Sequence, residues 1–463
     1  MIKLAPALFA LVAAAATAQP LSPAEVSQID QLVARTLADT GVPSTEIAIV
    51  CNGQIVFNKA YGKANEGLPA RPDLPYQIAS NSKQFTAMAI LLLRDEGKLS
   101  LDDPVSKYIP GITEGDKITI RELLSHTSGL QDFWPQDYLF SDMTVPTTPQ
   151  HIVDKWAKKP LDFEPGTRWQ YSNTGYVVAG MIAEKVSGEP LLTFLQQRVF
   201  EPLGMHALDQ DNANTAAFPA GYHRYALGPV RIVRPPARGW LYAAGELSMS
   251  AGDLAKWDIA RMNRALIPAR DWIEQETPVL RTDGRTTGYG LGVTNSYQRE
   301  RHVIVHSGEA VGFLTLNTVY PDTKDAIVVF TNADFSGAMG TLTQGIENIV
   351  LNSAEPALAG EGDRIADVRA TYNMLVSGTL DRSKFTPNLN FYFDPTVLGD
   401  YKSSLAPLGA PTSVEMRGPP RLRGGFVNRN YAIHYAGGKN LTLVTYAEPG
   451  VTGRWEQFMI MPE

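Results

Sequence analysis

Three short runs in the chain carry residue types able to perform acyl transfer. In Ser80-Asn81-Ser82-Lys83 a hydroxyl and an amine stand three positions apart, which on a helix is one face, one turn on. If Ser80 opens a helix, its oxygen lies at the positive end of the dipole, where alkoxide character is favoured. A partly buried Lys83 loses preference for its charged form and can accept that proton. S-x-x-K alone is a weak signal: a chain this long shows on the order of one match by chance, and Ser80 reads equally well as a plain helix cap. In the second run, Tyr171-Ser172-Asn173 follows Pro165-Gly166-Thr167 and precedes a helix from about Tyr176. Tyr171 can shuttle a proton between Ser80 and a leaving group, and Asn173 can hold a substrate carbonyl. Taken singly, they are a packed aromatic and a cap or turn residue. The third run, His306-Ser307-Gly308-Glu309, ends a β-type stretch. An edge strand ending in glycine lets a substrate backbone approach, and its N–H groups with that of Ser80 can form an oxyanion hole. By itself His306 is as readily a satisfied strand histidine.

These runs need elements to hold them. Pro23–Asp39 has helical periodicity behind Ser22, a cap residue followed by a first-turn proline. Glu46–Cys51 and Gln54–Asn58 flank Asn52-Gly53, which favours a two-residue hairpin turn. Ser80 to about Gly97 is apolar nearly all round, so this helix is expected to be buried. A helical and looped middle region follows, in which Asp132-Phe133-Trp134-Pro135-Gln136-Asp137-Tyr138 either walls an apolar pocket or packs on a helical subdomain. Strand character returns at His302–His306, Leu314–Tyr320 and Ala326–Thr331, with a turn at Pro321–Lys324 and a closing helix from about Met339 to Leu351. Strands at both ends imply one sheet closed by sequence-distant segments.

The pattern breaks near Ser353–Gly362. Beyond it, Arg364–Val376 reads as a helix, followed by β-type runs at Asn390–Phe393, Tyr431–Tyr435, Leu441–Tyr446 and Trp455–Met461. A small α+β unit is expected over residues 360–463, either a cone of the NTF2 sort or a lipocalin-like barrel. It carries no catalytic motif.

At the other end, Lys3, an apolar run to Ala15 and Ala16-Thr17-Ala18 read as an export signal over residues 1–18, with a first helix of the fold or an uncleaved anchor as the other readings; 19–355 is then expected as the main domain. The protein is accordingly expected in the periplasm or outside the cell. A net charge of −7 without basic runs argues against nucleic acid as a partner, and no later stretch is apolar enough to span a bilayer. Cys51 is the sole cysteine, which rules out an internal disulfide. The histidine spacings match no zinc motif, and no cofactor is expected.

The order S-x-x-K, Y-S-N roughly ninety residues on, then H-S-G before the last hairpin resembles the penicillin-recognising serine hydrolases. Within them it is most like the class C β-lactamase and D,D-peptidase branch. Leu123–Leu130 (L-L-S-H-T-S-G-L), Gly245–Ser250 running into Asp253-Leu254, and Gly288–Gly292 (G-Y-G-L-G) agree, over about residues 22–353. The resemblance implies an α+β fold: an antiparallel sheet flanked by helices, a helical subdomain, and a site between them. It makes Ser80 the acylated nucleophile, Lys83 its base, Tyr171 the proton shuttle and Asn173 a substrate-amide ligand. His306, Ser307 and Gly308 match the family's K-T-G triad, and the N–H of Glu309 becomes the second oxyanion donor. Two departures narrow the activity. Neutral His306 lacks the charge that anchors a substrate carboxylate, which favours an esterase, amidase or D-aminopeptidase over a β-lactamase or D,D-carboxypeptidase. Glu309 puts an acid beside the oxyanion site, where it selects a cationic group or faces solvent. The expected partner is a small-molecule or peptide substrate; a rival reading is a non-catalytic binder of cell-wall fragments.

Overall fold

The computed structural model describes residues 20–462 apart from 137, 214, 299–300, 352–360 and 419. The export signal expected over residues 1–18 therefore lies outside the described residues. The chain divides into two compact units, up to Leu351 and from Asn352 onward.

The first unit opens with helix α1, Pro23–Thr40, whose start is closed by a capping box: Ser22 Oγ accepts from Glu25 N–H and the Glu25 carboxylate accepts from Ser22 N–H. Strands β1 (Ser44–Cys51) and β2 (Gln54–Asn65) form the hairpin, with Asn52 and Gly53 at φ 49° and 77° as the turn demands. β2 runs seven residues past the expected Asn58. The short β3 (Leu68–Pro69) joins it, and the late strands are β4 (Thr294–Gln298), β5 (Arg301–Ala310), β6 (Phe313–Tyr320) and β7 (Asp325–Thr331). Among the described residues they make one sheet in the order β3-β2-β1-β7-β6-β5-β4, antiparallel throughout, so β1 pairs with β7 from nearly three hundred residues away.

Alternation along β1 explains the layers. Ile47 and Ile49 pack with Ile29 and Val33 of α1 and with Leu342 and Ile346 of the closing helix. Ala48 and Val50 point the other way, into the core shared with helix α2, Lys83–Asp95. Both faces of this strand are covered, which is why its sequence reads as a continuous apolar run. Every residue of α2 from Lys83 to Leu93 is buried, as its all-round apolar character requires. Helix α3, Asn173–Ser187, packs against α2, with Ser172 as its cap.

Ser80 does not open an α-helix. It sits in a 3₁₀ turn, Ala79–Ser82, that feeds α2, and no side-chain cap bond forms there, so the cap reading of Ser80 fails as well.

The second unit holds three helices (α4, Ile365–Ser377; α5, Pro387–Tyr392; α6, Pro395–Leu405) and a sheet of five strands among the described residues. Its strands are β8 (Ser413–Met416), β9 (Arg421–Arg423), β10 (Phe426–His434), β11 (Asn440–Ala447) and β12 (Trp455–Pro462), in the order β8-β10-β11-β12 with β9 folded back on β10. The sheet is open, not a closed lipocalin-like barrel. Of the expected strand at Asn390–Phe393, residues Asn390–Tyr392 are helical and Phe393 is the residue that ends the helix: Thr386 caps and Pro387 starts it, and that start signal outweighs the aromatic run. This unit has its own core, built from Val368, Tyr372 and Leu375 of α4 against Tyr431, Leu443, Trp455 and Phe458.

Candidate active site

The turn that carries Ser80 is held under tension and tied down. Ala79 adopts φ 47°, a left-handed conformation that an alanine takes only under outside constraint. Asn81 Nδ2 donates to Thr315 Oγ1 (3.0 Å), and Thr315 Oγ1 donates to Ile78 O (3.0 Å), so both sides of the turn are anchored to β6. Ser82 Oγ accepts from Leu247 N–H at 3.1 Å. β5 lies alongside, and only its Arg301–Val305 stretch pairs with β4, so from His306 onward its outer edge faces the Ser80 turn. Gly308 is needed for that fit: a Cβ there would stand 2.1 Å from Ile78 O and 2.3 Å from Thr315 Oγ1. The glycine admits the protein's own backbone rather than marking the strand's end, which comes at Ala310.

Ser80, Lys83 and Tyr171 meet. Lys83 Nζ is 3.0 Å from Ser80 Oγ, and Tyr171 Oη donates to that same oxygen at 2.7 Å. Lys83 is fully buried, not partly, and burial pushes its amine down to about 7; the Asp132 carboxylate opposes that fall. Its other two contacts are oxygens: Asn173 Oδ1 at 2.8 Å and Ala244 O at 2.6 Å. A neutral Lys83 can give its two hydrogens to these carbonyls, which turns its lone pair toward Ser80. Burial raises the Tyr171 phenol, so Tyr171 stays protonated and serves as a relay rather than the first base.

Asn173 is tied at both ends: Oδ1 accepts from Lys83, and Nδ2 donates to Asp132 Oδ2 at 3.2 Å. Burial holds the His306 ring neutral; its Nδ1–H donates to Ser307 O at 2.6 Å, which leaves Nε2 to accept from Tyr289 Oη at 2.8 Å. Burial pushes its basicity down to about 3. His126 Nδ1 accepts from Ser172 N–H at 3.1 Å while its ring packs tilted against Tyr171, centroids 4.3 Å apart. Ser307 and Glu309 are exposed on the facing strand.

These side chains border a cleft of about 480 Å³, lined by Ser80, Tyr171, Asn173, His306, Ser307 and Glu309, and by Asp132, Trp134, Leu241 and Asp334. Of the expected loop 132–138, residue 137 lies outside the described residues, and Asp132–Gln136 do both things expected. Asp132, Phe133, Trp134, Pro135 and Gln136 wall the cleft, while Phe133 also packs on Trp156 and Trp240. Sequence reasoning missed the polar role of Asp132 and the carbonyl of Ala244. The segments holding His126, Tyr289 and Gly245 carry the family resemblance without a role of their own in the sequence; in the fold the first two brace Tyr171 and His306, and Gly245 packs on Ala79.

A sequence model of the Beta-lactamase family matches residues 29–348, and the chain belongs to that family. It is a serine hydrolase of this group. Among curated proteins it is similar to the putative penicillin-binding protein PbpX of Bacillus subtilis, 29% identical over 69% of this chain and 78% of that one. Among solved structures it resembles a D-stereospecific amidohydrolase from Streptomyces sp. (28% identity, TM-score 0.61, covering 71% of this chain and 99% of the other). The octameric penicillin-binding protein homologue from Pyrococcus abyssi shares the fold at 20% identity and TM-score 0.61, over 94% of this chain and 99% of its own. That last likeness extends past the family match into the second unit.

Proposed function

We propose that the protein hydrolyses amides, with esters as faster surrogates, through an acyl-enzyme on Ser80, and that its substrates are D-configured with a free amino group. The observation that carries this reading is the Ser80 oxygen lying within hydrogen-bond reach of both Lys83 and Tyr171, the lysine buried and near neutrality. Lys83 takes the Ser80 proton as Oγ bonds to the substrate carbonyl. The N–H groups of Ser80 and Glu309 receive the oxyanion. Tyr171 hands a proton to the leaving nitrogen as the C–N bond breaks, and Lys83 makes it good. Water then repeats the sequence on the ester and frees Ser80.

The walls of the cleft support the choice of substrate. Among its described lining residues none is lysine or arginine, while Asp132, Glu309 and Asp334 are acids, and His306 is neutral. Such a cleft suits an ammonium and an amide better than a free carboxylate. Likeness to a D-stereospecific amidohydrolase agrees with this. Purified protein is expected to cleave D-amino-acid p-nitroanilides well ahead of the L-isomers and of nitrocefin, with Ser80→Ala as the blank. Preference for nitrocefin, or for anilides whose amine is acetylated, would contradict the substrate assignment. The signal at residues 1–18 supports export, with Gln19 expected as the first residue of the mature chain.

A further inference from the structure

Asp132 uses its whole carboxylate on one neighbour and one loop. Oδ1 accepts from Asn173 N–H and Trp134 N–H, both at 3.1 Å, and Oδ2 accepts from Asn173 Nδ2 at 3.2 Å. A carboxylate can only accept, so the group facing Oδ2 must be the donor end of the Asn173 amide. The other end, Oδ1, is thereby aimed at Lys83 Nζ, 2.8 Å away. An amide turned the other way would set NH₂ against the lysine and oxygen against oxygen at Asp132. Neither arrangement is tolerable in a buried site.

We infer that Asp132 is a positioning residue that locks the Asn173 amide with its carbonyl toward Lys83, making that carbonyl part of the cradle of the base while the second N–H of Nδ2 stays available to a substrate in the cleft. This deepens the reading of Ser80 and Lys83 given above and rests on it. The groups around the Lys83 amine are Ser80, Tyr171 and Tyr176, the last two with ring centroids 4.8 and 5.3 Å from Nζ, together with Asn173 and the Ala244 carbonyl. His126 and His306 act on it from further off, both held neutral by burial. Asp132 is the acid that acts on Lys83 in this set, and its charge favours the ammonium.

Two variants test the lock. Asp132→Asn keeps the acceptor for both N–H groups but faces NH₂ with NH₂, so Asn173 must turn over. Lys83 then loses both a carbonyl and a nearby negative charge. The exchange Asp132→Asn with Asn173→Asp restores one amide and one carboxylate but puts the carboxylate against Lys83. The readout is the Lys83 midpoint, followed in the resting full-length enzyme by NMR of ¹³Cε-labelled lysine, with Lys83→Arg to assign the signal. It is expected to move to lower pH in Asp132→Asn and to higher pH in the exchange. In steady state, Asp132→Asn should lower kcat about ten-fold or more with KM nearly unchanged. A midpoint unmoved in both variants would overturn the lock, as would a raised KM at constant kcat. Because the titration needs no turnover, it stands apart from the acyl-enzyme reading, which fails only if Ser80→Ala leaves hydrolysis intact. Thermal melting of each variant confirms that it is folded.

Discussion

At the scale of residues, the site works by making one amine uncomfortable as a cation. Lys83 is enclosed on every side, and its desolvation outweighs the field of Asp132, so its proton leaves near pH 7 instead of 10.5. The sign of the consequence follows. The neutral amine is the base, so kcat/KM for an ester is expected to fall about ten-fold per pH unit below roughly 7 and to level off above it. His306, neutral down to about 3, adds no limb between pH 4 and 7. A pH profile flat from 5 to 8 would show that some other group accepts the proton. Ser80, Lys83, Tyr171 and His306 were legible from sequence because their chemistry is in their side-chain type and order. The Ala244 carbonyl was not legible, since every residue owns one and only the fold selects which is used. Asp132 was hidden for a related reason: its contact with Asn173 crosses 41 positions of chain, and in sequence it read as the start of an apolar loop.

At the scale of elements, strands and helices are legible in sequence where burial or turn chemistry is strong. The Asn52-Gly53 hairpin and the buried helix after Ser80 are of this kind. Ser80 itself is not legible in this way, because a 3₁₀ turn and the first turn of an α-helix share the same apolar spacing, and it is the tethers from Thr315 and Leu247 that hold the tighter form. At Asn390–Phe393 a run of aromatics looked extended, while the deciding signal, Thr386-Pro387, lay upstream of it. The 3₁₀ turn depends on Gly308. Gly308→Ala would drive a methyl into the Ile78 carbonyl and force the turn off β5. A stability loss of about 1–3 kcal/mol is expected by chemical denaturation. The loss of acylation should be far larger than the residual unfolding explains, because Ser80 moves with the turn. Unchanged activity in a folded Gly308→Ala protein would show that the turn is not positioned by this contact.

At the scale of the whole molecule, each unit has a core of its own, and every residue lining the cleft belongs to the first. A chain ended after Leu351 is therefore expected to fold and to keep hydrolysing small esters at close to the full-length rate, as measured per labelled serine. Loss of that activity in a folded truncated protein would give the second unit a part in the chemistry. No described helix is long and apolar enough to cross a membrane. The claim on which everything else depends is that Ser80, set between Lys83 and Tyr171, is the atom acylated. Its most direct test is stoichiometric labelling of the purified protein with a fluorophosphonate, followed by intact mass and peptide mapping. One adduct per chain, on the peptide holding Ser80 and absent from both Ser80→Ala and heat-unfolded protein, is the predicted result. An adduct that maps to another residue, or that persists at full stoichiometry in Ser80→Ala, would contradict it.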